Sequence, residues 1–138
     1  MKPLKPLLAA IALCAWFAGA GASPWGADLA ALERAALEED PVALTELALR
    51  YEHAEGLPKD FQKANWFYCR AARHGHAEAQ FKLGWIYANG RGVPRNDGVA
   101  AMLFSMAAER GHAHAARLLQ YIVARPGSQL PSCLLPDP

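Results

Sequence analysis

Five histidines, His53, His74, His76, His112 and His114, have the greatest chemical reach in this sequence, and four of them form two His-x-His pairs. Neighbouring imidazoles are one way a zinc site begins. Residues two apart on a helix do not share a face, however, and His76 and His112 recur at one position of a repeated text, which accounts for both without a ligand. No metal or cofactor is expected. The acidic run Glu38-Glu39-Asp40 is the next candidate, for general acid–base work. It falls at a helix boundary, where an acidic side chain caps free amides and meets the positive end of the helix dipole. Catalysis needs a positioned acid, base or nucleophile with converging groups around it. No catalytic residue is assigned on this pattern, and the chain is expected not to be an enzyme.

The elements that would position these residues come from the repeat itself. Ala71-Ala72 returns as Ala107-Ala108, and Gly75-His76-Ala77 returns as Gly111-His112-Ala113, a period of 36 residues. At the same offset Tyr87 falls on Tyr51, Leu83 on Leu47 and Gly92 on Gly56. A fixed period of this length marks stacked supersecondary units, each burying its apolar face against its neighbours. Ala43, Leu47, Ala48 and Tyr51, with Ala79, Leu83, Gly84 and Tyr87, form one stripe at helical spacing. Small residues at 71, 72, 107 and 108 let helix axes approach, and Tyr68 and Phe104 fill the space beside them. That stripe is the predicted core.

The predicted architecture is an all-α solenoid of antiparallel helix pairs, with two full repeats and a half-repeat at each end. Residues 1–22 form a signal peptide, and 23–39 form a linker and capping helix. Repeat 1 covers 40–75, repeat 2 covers 76–111, half-repeat 3 covers 112–124, and a Pro-rich tail covers 125–138. In repeat 1, Asp40-Pro41 starts helix A, Ala54 to Pro58 ends it, and Asp60 caps helix B over Phe61 to Arg73. In repeat 2, helix A spans Ala77 to Ala88 and helix B about Asp97 to Arg110, with a frayed first turn expected at Gly98. The third helix A runs from Ala113 to about Val123. Arg125 to Pro138 has no periodicity and reads as a tail or linker.

Composition narrows the partners. Lys2 and Lys5, an apolar run from Leu7 to Ala18 and the small residues Ala20-Gly21-Ala22 before Ser23 make a secretory signal with a cleavage site. The apolar run is shorter than the roughly 20 residues of a spanning helix, so no stable membrane span is expected after cleavage. Cys14 follows Leu13, not the small residue a lipidation site requires. Without Lys2 and Lys5, 12 of the 14 Lys+Arg remain against 13 Asp+Glu. Nucleic acid is therefore a poor partner.

The residues Ala77-x-Ala79-Gln80-x-x-Leu83-Gly84-x-x-Tyr87-x-x-Gly90-x-Gly92-Val93-Pro94 resemble the Sel-one-like repeat family, a relative of the tetratricopeptide repeats. The resemblance covers about 40–124. It implies a superhelix of helix pairs serving as an adaptor, without catalytic residues. Repeat 1 departs from the pattern, with Leu44 in place of the Gln and Ala54 in place of the first loop glycine, which bears on the geometry of that loop. Exported chains with such an array and a Pro-rich linker can also continue into a peptidoglycan lytic transglycosylase. On that alternative this chain is the targeting module of a truncated or split enzyme, acting with the peptidoglycan machinery.

The leading reading is a periplasmic or secreted adaptor for a protein or peptide partner. If Leu83, Gly84 and Tyr87 face inward, then Phe81, Trp85 and Asn89 line the concave side. By period Thr45, Leu49, His53, Arg117 and Tyr121 join them. These positions change type between repeats, as a surface shaped for one ligand would. The competing reading has Phe81 and Trp85 packing against adjacent A helices. With Cys14 removed, export leaves Cys69 and Cys133 as an even pair able to form a disulfide, since the tail after the last helix is long enough to reach back along the stack. The alternative is a free Cys69 and a Cys133 that pairs elsewhere.

Overall fold

A computed structural model describes residues 28–123 and 125–136. The signal peptide expected over 1–22 lies outside the described residues. The described chain forms six α-helices: α1 Leu29–Leu37, α2 Pro41–His53, α3 Phe61–Arg73, α4 Ala77–Asn89, α5 Asp97–Glu109 and α6 Ala113–Leu118, followed by a 3-10 turn at Ser132–Leu134. Adjacent helices pack in succession, α2 on α3 and α4 on α5 within the repeats and α3 on α4 between them. The short connections reverse the chain at each step. This is the all-α solenoid expected from the period.

Local chemistry sets the helix starts. Asp40 Oδ1 accepts from the amides of Val42 and Ala43 at 2.8 and 3.1 Å, with Pro41 at the first helical position. Asp28, Asp60 and Asn96 cap α1, α3 and α5 in the same way. Each such cap contributes on the order of 1 kcal/mol. At the ends of the two A helices, Gly90 takes the left-handed conformation (φ 66°, ψ 40°), and Ala54 takes the same one (φ 61°, ψ 38°). The alanine has not changed the path of the first loop.

The core runs along the stack. Leu32 and Ala36 of α1, Leu44 and Leu47 of α2, Tyr68 and Cys69 of α3, Leu83 and Ile86 of α4, and Leu103 of α5 are buried together. A second cluster gathers Phe104, Ala107 and Ala115 with Phe81 and Leu118 against it. Gly84 is required where it stands, because a Cβ there would lie 2.8 Å from the Phe104 ring, closer than packed atoms allow.

One expectation for the C-terminal part is corrected. The third helix A stops at Leu118, short of Val123. Beyond it the amides of Gln120 and Tyr121 bond three residues back, to Arg117 and Leu118. A short helix needs packing to persist; among the described residues α5 is the helix packed on this one, and Tyr121 and Val123 stand exposed. The Pro-rich segment runs back along the stack. Leu130, Cys133 and Leu134 pack on the first core cluster, the 3-10 turn lies on α3, and Cys133 is joined to Cys69 with Cα atoms 6.1 Å apart. Ser128 crosses α5 so closely that a Cβ on Gly98 would collide with its hydroxyl. That glycine is buried in a capped first turn, beneath the strap that crosses it.

Candidate functional site

The A helices α2, α4 and α6 present one continuous face. Between them lies a groove of about 450 Å³ whose walls include Glu52 and His53 from α2, Phe81 and Trp85 from α4, and His114 and Arg117 from α6. Lys82, Arg91 and Leu118 complete it. The size falls within the roughly 300–1,000 Å³ of typical ligand sites. Trp85, 41% exposed, also borders an adjoining hollow of about 540 Å³ with Asn89 and Tyr121. Among the described residues no cluster of His, Cys, Asp or Glu has the arrangement to hold a metal ion.

Of the residues expected on the concave face, the structure brings His53, Phe81, Trp85 and Arg117 together in the groove. Asn89 and Tyr121 line the neighbouring hollow, and the Asn89 amide donates to the Trp85 carbonyl at 2.7 Å. Leu49 is half-buried against the core. Thr45 is a correction: it is buried, not a surface contact. Its hydroxyl donates to the Pro41 carbonyl at 2.7 Å and lies 2.8 Å from His76 Nδ1. Since the hydroxyl has one hydrogen, already given to Pro41, His76 must donate from Nδ1. Phe81 is shared between the two readings weighed for it. It stacks on His112 at 4.3 Å and packs toward Phe104 at 5.7 Å, while one edge stays in the groove.

The third wall of the groove is fixed by His112. The Ala115 amide donates to His112 Nδ1 at 3.2 Å, so this ring carries its hydrogen on Nε2, 2.9 Å from Glu78 Oε2. The imidazole thus caps α6 and ties it to α4. On the opposite side, Glu39 accepts from Arg70 and lies 3.0 Å from His74 Nε2. Chiefly through the Arg70 hydrogen bond, with help from His74, its carboxyl is held below the ordinary value of 4.5. Glu39 therefore links the turn after α1 to α3.

Glu52 escaped the sequence reading. It is 6% exposed, accepts from the Tyr68 hydroxyl at 2.8 Å and from Arg91 Nη1 at 3.1 Å, and so anchors the loop after α4 to the first repeat. The Asn65 amide holds the Arg91 carbonyl at 3.0 Å from the other side. Burial first, and the Glu52 charge second, raise the Tyr68 hydroxyl well above its ordinary value and keep it a donor. A signal was available at the period. Glu52 and Tyr68 fall on Ala88 and Phe104, so the second repeat lacks the carboxylate and the hydroxyl together.

A family model for the Sel1 repeat matches residues 41–76 and 77–112, the two full turns of the solenoid. The chain belongs to the Sel1 repeat family. A solved Sel1 repeat protein from Oxalobacter formigenes is similar at 32% identity and a TM-score of 0.65, covering 70% of this chain and 77% of the other. A protective antigen of uropathogenic Escherichia coli with an SLR fold is similar at 38% identity and a TM-score of 0.57, covering 58% of this chain and 17% of the antigen. No curated protein matches. Sel1 repeats generally mediate protein–protein interaction, and the fold is typically non-catalytic. Among the described residues no helix is long and apolar enough to cross a membrane.

Proposed function

We propose that this Sel1 repeat chain is an exported, non-catalytic adaptor of the bacterial-type cell envelope, which holds a protein or peptide partner in the groove between its A helices. The observation that carries the reading is Trp85, a large aromatic left substantially exposed at the centre of a concave face. Leaving such a side chain in water forgoes about 1.5–3 kcal/mol of burial, and aromatic anchors of this kind dominate interface energetics. Export is supported by the signal-like residues 1–22 and by the Cys69–Cys133 pair, since disulfides persist in oxidising compartments.

Two measurements test the reading. Cell fractionation with N-terminal sequencing should find the mature chain outside the cytoplasm, beginning near Ser23; a full-length cytoplasmic protein would remove the envelope location. Trp85→Ala should weaken a partner captured from the envelope fraction by about 30-fold, the effect of a 2 kcal/mol hot spot. Unchanged affinity with an intact fold would show that the partner sits elsewhere.

A further inference from the structure

The groove is charged in a way the whole chain is not. Apart from Lys2 and Lys5, the sequence holds 12 Lys+Arg against 13 Asp+Glu, yet the groove gathers Lys82, Arg91 and Arg117, with His53 and His114, around Trp85. Its one carboxylate, Glu52, is turned inward onto Tyr68 and Arg91. Lys82 lies 3.7 Å from Glu78, and Glu78 is shared with His112. Arg117 faces no carboxylate among the described residues.

The fold does not demand these cations. One period upstream, Lys82 falls on Glu46, Arg91 on Glu55 and His114 on Glu78. Two positions that are acidic in the preceding repeat are cationic where they surround Trp85, and at the third a histidine replaces the carboxylate. Arg117 falls on Phe81, which is half-buried against its neighbours. A surface needed only for solubility would have no reason to collect one sign in one hollow.

Building on the adaptor reading, we propose that the groove binds an acidic peptide segment bearing an apolar or aromatic anchor residue. The anchor lies against Trp85 and the exposed edge of Phe81, and the Asp or Glu side chains flanking it meet Arg117, Lys82 and Arg91. Guanidinium and carboxylate pair in a charge-assisted, two-pronged geometry. Complementary charge of this kind raises the association rate and selects against neutral or basic competitors. An extended chain rises roughly 3.3 Å per residue, so a short linear segment suffices to cross a groove of this size.

The test is selection of a random dodecapeptide display library on the folded, disulfide-intact protein, followed by anisotropy measurements on the recovered peptides. The recovered sequences should be strongly acidic and carry Trp, Phe, Tyr or Leu. Replacing their Asp and Glu with Asn and Gln should weaken binding by about tenfold or more, as should Arg117→Glu. Trp85→Ala should do the same through the anchor, and binding should fall as salt rises from about 50 to about 500 mM. Both substituted side chains are exposed, and thermal melts check that the variants stay folded. Neutral or basic winners, or winners indifferent to amidation of their carboxylates yet still lost in Trp85→Ala, overturn the acidic specificity and leave the groove as a binding site. No enrichment, or binding unchanged in both variants, overturns the groove itself. A single-stranded oligonucleotide that binds as tightly as the best peptide, and is displaced by Arg117→Glu, overturns the commitment to a peptide.

Discussion

The buried pair Glu52–Tyr68 can be dissected with the protein's own alternative, because the second repeat places Ala88 and Phe104 at the equivalent positions. Tyr68 is fully buried, and its hydroxyl donates to Glu52 at 2.8 Å. Glu52→Ala strands that hydroxyl, which costs about 1–3 kcal/mol. The Arg91 guanidinium also loses its partner, but Arg91 is exposed and rehydrates, so that share of the loss is small. Tyr68→Phe keeps the ring and removes the donor, leaving a nearly buried carboxylate with Arg91 and with His53 Nε2 at 3.9 Å, again at about 1–3 kcal/mol. In the double variant neither stranded group exists. Its destabilisation should be smaller than the sum of the two singles by about 1–3 kcal/mol. Chemical unfolding at pH 7, followed by circular dichroism, measures the cycle, and each kcal/mol should also move Tm by roughly 4–8 °C. Strict additivity would refute the claim that the two residues form one unit and that the second repeat dropped them together.

Three further outcomes are expected. Ala54 sits in the left-handed region at φ 61°, which costs a non-glycine residue about 1–2 kcal/mol; after glycine's greater entropy loss, Ala54→Gly should stabilise by about 0.5–1 kcal/mol. Gly90→Ala should destabilise by a similar amount, since a Cβ there meets nothing closer than 3.4 Å and only the backbone differs; opposite signs in the two melts are required. Thiol titration of the mature protein under denaturing, non-reducing conditions should find no free thiol, and because Cys69 and Cys133 are 64 residues apart, reduction should remove up to roughly 4 kcal/mol; two free thiols per chain would refute the pairing. Burial holds the His76 imidazole below its ordinary value of 6.5, so as pH falls through 6.5 the unfolded chain takes up a proton that the folded chain declines. Stability should drop as pH falls through 6.5, and His76→Gln should flatten that part of the curve in melts across the range; an unaltered slope would refute it.

The repeat, the helix starts and the core were legible because they rest on local rules that recur at a fixed offset. Asp40-Pro41, Asp60 and the Leu47/Leu83 and Tyr68/Phe104 positions each carry their own signal, and α3 spans Phe61–Arg73 as expected. What was not legible depended on pairings across repeats. Thr45 looked like surface by period because Phe81 and Arg117 share its register, but its hydroxyl is claimed by Pro41 and His76. Gly98 looked like a weakness of α5 until Ser128 was seen to cross it. The end of α6 at Leu118 is announced by no local pattern of Leu118 to Val123.

The two turn histidines show how the groove arises from such pairings. His76 and His112 occupy the same repeat position, but the residue each meets from the helix beneath differs. Beneath His76 is Thr45, whose hydroxyl takes the Nδ1 hydrogen, and α4 begins without a side-chain cap. Beneath His112 is Phe81, which offers a ring face and no acceptor. Nδ1 is then free to accept from Ala115, and Nε2 turns its hydrogen to Glu78. The change from Thr45 to Phe81 therefore does two things at once. It places an aromatic edge in the concave face, and it releases the next histidine to cap and tether the short helix that carries His114 and Arg117. A helix of six residues would not hold those side chains in place by its own backbone bonds. The Phe81 edge in the groove and the tethering of the helix that carries His114 and Arg117 thus both follow from the difference between Thr45 and Phe81.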